Sequence, residues 1–317
     1  MLAILSVTFP FFALVLCGYV AVRRHLLPQL AIPGLNGFVL YFALPCLLYR
    51  FGANTPLAQL LDPGAFAVYL ACALATVGLT MAATLGRRRD WNNASFGALL
   101  AAFPNTGFMG VPLLVALLGA RASGPVILSI AVDLIITTSL CLALSRLGQG
   151  DARSSGAALR QALAGMLRNP MPWSIALGAA ASFAQIVLPA PVMQTVGLLA
   201  DAASPVALFT IGAVLARSQM NASSSTPASD YLPVALAKLL LHPILMLGFG
   251  YGAIGLGVQL DPFTLKVLVL LACLPCASNV AMLGERFGAD TGRMARIILA
   301  STALSFLSFS AAVALMA

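Results

Sequence analysis

Charge is what this chain has least of. Asp, Glu, Lys and Arg together make 8% of its 317 residues, with nine acids and two histidines in all. Soluble domains carry roughly a quarter charged residues, so a fully water-facing surface is excluded. Scarce acids and histidines also leave little with which to build a metal centre or an acid–base site. Neither a phosphate-binding glycine loop, a zinc-ligand spacing nor a serine elbow occurs. No enzyme chemistry, cofactor or metal is therefore expected. What abounds is apolar: 61% of residues are hydrophobic and the mean hydropathy is +0.99, the composition of a chain mostly dissolved in lipid.

The six cysteines, Cys17, Cys46, Cys72, Cys141, Cys273 and Cys276, all fall inside apolar stretches. They read as small hydrophobes rather than a disulfide framework, and Cys273-x-x-Cys276 lacks the strand-to-helix context of a redox motif. A formal charge of +8 usually suggests nucleic acid. Here the arginines sit in short connections between apolar segments, which is an orientation signal for a bilayer and leaves nucleic acid out. No cation precedes the first apolar stretch, while Arg23 and Arg24 follow it. A cleaved signal shows the opposite order, so a retained transmembrane helix is expected.

Reading apolar runs against their punctuation predicts ten spans: 3–22, 33–52, 64–85, 92–118, 123–145, 171–190, 194–215, 231–256, 263–284 and 293–315. Alanine-rich 156–167 could instead be an interfacial helix. Thirteen of seventeen cations fall in the odd-numbered links, among them Arg87, Arg88, Arg89, Arg146, Arg153, Arg160, Arg168, Arg217 and Arg286. By the positive-inside rule those links are cytoplasmic and both termini lie on the periplasmic or extracellular face. Lys238, near the inner end of span eight, is expected to snorkel. The link 146–170 divides the chain into a first five-helix repeat, 1–145, and a second, 171–317. An odd number of spans in each half gives them opposite orientations, the geometry of an inverted repeat. Pro45 and Gly52 in span two match Pro205 and Gly212 in span seven; Pro104 and Asn105 in span four match Pro275 and Asn279 in span nine. The expected fold is all-α and polytopic, with ten helices and with helices four and nine broken.

Proline removes a backbone donor and clashes with the carbonyl one turn earlier, so the ladder opens at Pro104 and Pro275. Unpaired backbone groups are costly in hydrocarbon, so each break must face protein, water or ligand. Two breaks meeting near mid-membrane would turn freed N–H groups toward a shared cavity suited to an anion. Asn105, Thr106, Ser278 and Asn279 would add side-chain donors and acceptors, and Gly107 lets the backbone approach closely. The plain alternative is that both prolines only kink packing helices. Asp133, deep in span five, reads as a proton-coupling group or as a structural hydrogen bond to a neighbouring helix. Asp201 lines an outward vestibule or caps the segment after it. Glu285 and Arg286 form either a cytoplasmic ion pair or a solvated link, Arg50 attracts anions or snorkels, and nothing groups His25 and His242.

The stretch FPNTGFMGVPLL (103–114) resembles the fourth-helix motif of the auxin efflux carrier family. LPCASNVAMLGERFGAD (274–290) is similar to that family's ninth helix, and the likeness runs over essentially the whole chain. The resemblance implies an elevator-type secondary transporter, similar in fold to sodium/proton antiporters and bile-acid symporters. It implies that helices four and nine cross at Pro104 and Pro275 and that Asn105 contacts a substrate carboxylate. It further implies a scaffold and homodimer surface from spans 1, 2, 6 and 7, with a mobile bundle from spans 3–5 and 8–10. The short central link makes this look like a compact bacterial member of the inner membrane, of the malate- or malonate-permease kind, although Phe103, Phe108 and Met109 would also accept an auxin-like acid. The expected function is secondary or potential-driven transport of a small organic acid, with a proton or sodium as the coupling ion under consideration. The alternative is a sodium-coupled organic-anion symporter.

Overall fold

In a computed structural model of the chain, residues 2–55, 62–86, 90–147, 160, 170–220 and 226–316 are described. Almost all of the link 146–170, the candidate interfacial helix 156–167, and Arg87, Arg88, Arg89, Arg153 and Arg168 lie outside those residues. The described residues are helical: α1 (Leu2–Arg23), α2 (Ile32–Phe38), α3 (Leu44–Asn54), α4 (Pro63–Thr84), α5 (Trp91–Ala102), α6 (Val111–Leu118), α7 (Ser123–Val132) and α8 (Thr138–Arg146). There follow α9 (Pro170–Phe183), α10 (Ala190–Met220), α11 (Ala228–Leu236), α12 (His242–Gly255), α13 (Pro262–Ala272), α14 (Val280–Arg286) and α15 (Thr291–Met316). Four π-helical turns, Val39–Ala43, Thr106–Gly110, Asp133–Thr137 and Ala237–Leu241, join or precede these elements.

Local chemistry sets the ends. The Asp90 carboxylate caps α5 by accepting from the Asn93 N–H at 3.0 Å, and Asp261 precedes Pro262 at the start of α13. Gly119, at a φ of 82°, ends α6 in a conformation that a side chain would strain.

Among the described residues, six helical stretches are long and apolar enough to cross a membrane: Gln29–Asn54, Pro63–Thr84, Ala120–Arg146, Ala190–Arg217, Ala228–Gly255 and Thr291–Met316. The architecture is thus an all-α polytopic membrane protein with six long apolar helices, and the ten-span, inverted-repeat elevator fold expected from the sequence is corrected. The shortfall has a physical cause. Span four divides into α5, 12 residues, and a second piece, Thr106–Leu118; span nine divides into α13, 11 residues, and α14, 7 residues. At roughly 1.5 Å per residue, 12 residues reach about 18 Å of the ~30 Å hydrocarbon core. Span six is shortened too, because α9 stops at Phe183 and the chain turns through Gln185 at a φ of 53°. Span one is not interrupted: it is the single helix α1, Leu2–Arg23. Apolar composition runs on through the interruptions of spans four and nine, so hydropathy reads one long rod where the backbone makes two short ones.

The chain separates into two compact units. The first comprises Met1–Asp62, Gly107–Leu128 and Asn169–Ala222. Within it α1 lies along α10, and α9 along α3. Gly212 presses against the Val15 carbonyl and Gly18 against the Phe209 carbonyl, so a methyl group at either position would collide with backbone. Gly52 and Gly178 meet in the same manner between α3 and α9. The second unit comprises Pro63–Thr106, Ser129–Arg168 and Ser223–Ala317. There α4 packs on α5 and α12, and α11 on α15. Arg293, 2% exposed, ties two of these helices: its guanidinium donates to the carbonyls of Asn93 and Asp230, each at 2.9 Å, and lies over Gly97.

Candidate functional site

The sequence AAFPNTG breaks its helix because Pro104 cannot donate and forces Phe103 out of helical geometry, to φ −95° and ψ 103°. α13 likewise stops at Ala272, three residues before Pro275. The two freed segments find each other within the second unit. The Asn105 N–H donates to the Pro275 carbonyl at 2.8 Å, and the Ala277 N–H donates to the Phe103 carbonyl at 3.0 Å. Pro104 and Cys276 thereby face one another as an isolated antiparallel bridge. Two strand-like bonds replace helical bonds lost to proline, which is how non-helical backbone stays satisfied in a lipid-soluble chain.

Around this bridge Pro104, Asn105, Thr106 and Pro275 are buried, while Ser278 and Asn279 are half-buried. Asn105 retains 4% of its surface. The Thr106 N–H turns back on the Pro104 carbonyl at 2.7 Å, and the Cys276 N–H donates to the Ser301 hydroxyl on α15 at 3.2 Å. Gly107 belongs to the first unit, where Met171 is its nearest side-chain neighbour.

Asp133 opens a π-helical turn in the second unit and is wholly buried. Its carboxylate accepts from the Tyr69 hydroxyl of α4 at 2.6 Å and from the Thr137 hydroxyl at 3.1 Å. The Asp133 carbonyl accepts the Thr138 backbone N–H, the bond that makes the turn π-helical, and also the Thr138 hydroxyl at 2.7 Å. Asp201 is elsewhere, in the first unit. It is exposed and paired with Arg50 at 2.7 Å. The structure therefore gathers Pro104, Asn105, Thr106, Pro275, Ser278, Asn279 and Asp133 in one unit, and Gly107 and Asp201 in the other. Glu285 and Arg286 are both exposed, and among the described residues they form no ion pair with each other.

Four residues of this region were not singled out for it from the sequence. Tyr69 and Ser301 carried no signal beyond their polarity. Lys238 does not snorkel; it is fully buried, on the π-helical turn Ala237–Leu241. Its ammonium donates to the Ala272 carbonyl at 2.7 Å and lies 2.7 Å from Nδ1 of His242, one turn further on. An ammonium only donates, so Nδ1 accepts and the imidazole proton is assigned to Nε2. The signal in the sequence was a cation four residues before a histidine, the two standing alone within an apolar span.

The sequence pattern of a family described as Membrane transport protein matches residues 3–313. The chain belongs to that family. It is a family of transport proteins and not of enzymes, and at this level the auxin-efflux-carrier resemblance holds. A protein of Rhizobium meliloti (strain 1021), provisionally named a malonate transporter, is 31% identical over 306 residues, covering 96% of this chain and 93% of the relative. The uncharacterized transporter YfdV of Escherichia coli (strain K12) is 26% identical over 306 residues, covering 95% and 92%. An uncharacterized transporter of Methanothermobacter thermautotrophicus is 26% identical over 298 residues, covering 93% and 92%. The protein is a multi-pass membrane protein whose substrate is a small molecule.

Proposed function

We propose that this chain is a secondary transporter of small organic anions, with dicarboxylates of the malonate and malate type foremost. One observation carries the proposal above others: two proline-broken segments pair through backbone hydrogen bonds beside buried Asn105. A break in a lipid-soluble helix is tolerated where it serves a polar cargo. Asn105, with an amide donor beside Thr106, Ser278 and Asn279, is the residue we assign to the carboxylate. The name borne by the Rhizobium relative supports the chemical class. Asp133, held by Tyr69 and Thr137, is the group we assign to proton coupling.

Transport driven by the membrane potential alone is the simplest mode for efflux. Moving one negative charge out of a negative-inside cell gains about 2.3 kcal/mol per 100 mV, so a dianion gains about twice that. Uptake needs a coupling ion, for which the competing choice is sodium. The arginine distribution supports placing both termini on the periplasmic side, and a homodimer is proposed on the family resemblance. The test is counterflow of labelled malonate into proteoliposomes preloaded with malonate, malate or an aromatic acid. Saturable counterflow with the dicarboxylates supports the proposal. Its absence with every acid overturns it.

A further inference from the structure

The break after α13 diverts the N–H groups that the carbonyls of Ala272 and Cys273 would receive in a continuous helix, and at Ala272 a side chain takes the donor's place. In an unbroken helix the carbonyls of Leu271, Ala272 and Cys273 would accept from the N–H groups of residues 275, 276 and 277. Pro275 has no N–H, and the Leu271 carbonyl accepts from Leu274 instead, at 3.1 Å. The Cys276 N–H goes to Ser301, and the Ala277 N–H goes to Phe103. Among the described residues the buried Ala272 carbonyl, at the negative end of a helix, has no backbone donor. Lys238 supplies the donor. Its ammonium is oriented from the other side by His242, whose own backbone carbonyl accepts from Cys72 at 3.6 Å on α4. The hydrogen bonds of Asp133, in the same unit, go to Tyr69 and Thr137.

A freed helix end of this kind is where a broken-helix transporter coordinates an alkali cation through carbonyl oxygens. We infer that Lys238 is a tethered counter-cation for the α13 break: its ammonium does at Ala272 what a bound sodium ion would otherwise do, so the protein works without sodium. Lys238 is thus a positioning residue, holding the half of the break that carries Pro275 and, through it, the bond to Asn105. The inference rests on the transporter reading given above, and it narrows the coupling question to a proton or the potential.

The experiment has two arms. In the first, labelled malonate counterflow by the wild type is compared in sodium and in N-methylglucamine buffers of equal ionic strength. The rates should agree, and a sodium requirement would overturn the inference. Absence of flux in both buffers counts against malonate transport and leaves the second arm to decide. In that arm the melting temperature of purified K238A in detergent is measured in N-methylglucamine, sodium and methylammonium chloride. K238A should melt below the wild type and recover part of the loss with sodium or methylammonium, while the wild type responds to neither. Where malonate moves, K238A should lose at least about tenfold in flux without a small cation, the scale of one buried charge-assisted hydrogen bond. A K238A protein that matches the wild type, or is destabilised with no response to cations, overturns the inference. Should K238A not purify, the sodium replacement on the wild type decides.

Discussion

At the scale of single residues, the buried acid Asp133 and the Cys276 N–H beside the bridge are hydrogen-bonded, and each pairing has a measurable cost of removal. The Tyr69 hydroxyl gives Asp133 its shortest hydrogen bond, 2.6 Å in a fully buried setting. Y69F strips that donor and leaves the carboxylate with Thr137 alone. A stability loss of about 1–3 kcal/mol is expected, read as a melting temperature several degrees lower in detergent. D133N separates the two roles of the acid. It keeps the shape and the capacity to accept from Tyr69 but cannot exchange a proton. Under proton coupling, the pH dependence of concentrative uptake flattens in D133N while counterflow, which needs no net coupling, persists. An unchanged pH profile would remove Asp133 from coupling. Ser301 provides a third case, since S301A leaves the Cys276 N–H next to the bridge without its acceptor and should cost about 1–3 kcal/mol.

At the scale of elements, close approach and interruption do most to fix the arrangement. Gly212 and Gly18 let α1 and α10 meet backbone to backbone, with no room for a methyl group. G212V should separate these helices and abolish a monodisperse peak on size-exclusion chromatography, whereas G248V, with open space around that glycine, should elute like the wild type. The two breaks were legible in the sequence because proline deletes a donor whatever surrounds it; Pro104 with Asn105 and Pro275 with Asn279 needed no tertiary knowledge. The lengths of the spans were not legible. Residues 92–118 and 263–284 stay apolar through their interruptions, so hydropathy reads one rod where the backbone makes two short ones. The partner of Lys238 was hidden for a related reason. Its acceptor is a carbonyl 34 residues away whose helical donor, the Cys276 N–H, goes instead to Ser301. Asp133 stood out as a lone acid in an apolar run, but nothing in the sequence joined it to Tyr69, 64 positions earlier.

At the scale of the whole molecule, a multi-pass transport protein of this composition has one unit in which the two proline breaks, the buried acid and the buried lysine all occur. The central claim is that the amide of Asn105, at the paired breaks, binds the carboxylate of the cargo. The most direct test is the affinity of purified wild type and N105A for labelled malonate, measured by scintillation proximity alongside each protein's melting temperature. Saturable malonate binding by the wild type, weakened by about tenfold or more in an N105A protein that melts within a few degrees of it, is the predicted result. Equal malonate affinity in the two proteins would contradict the account.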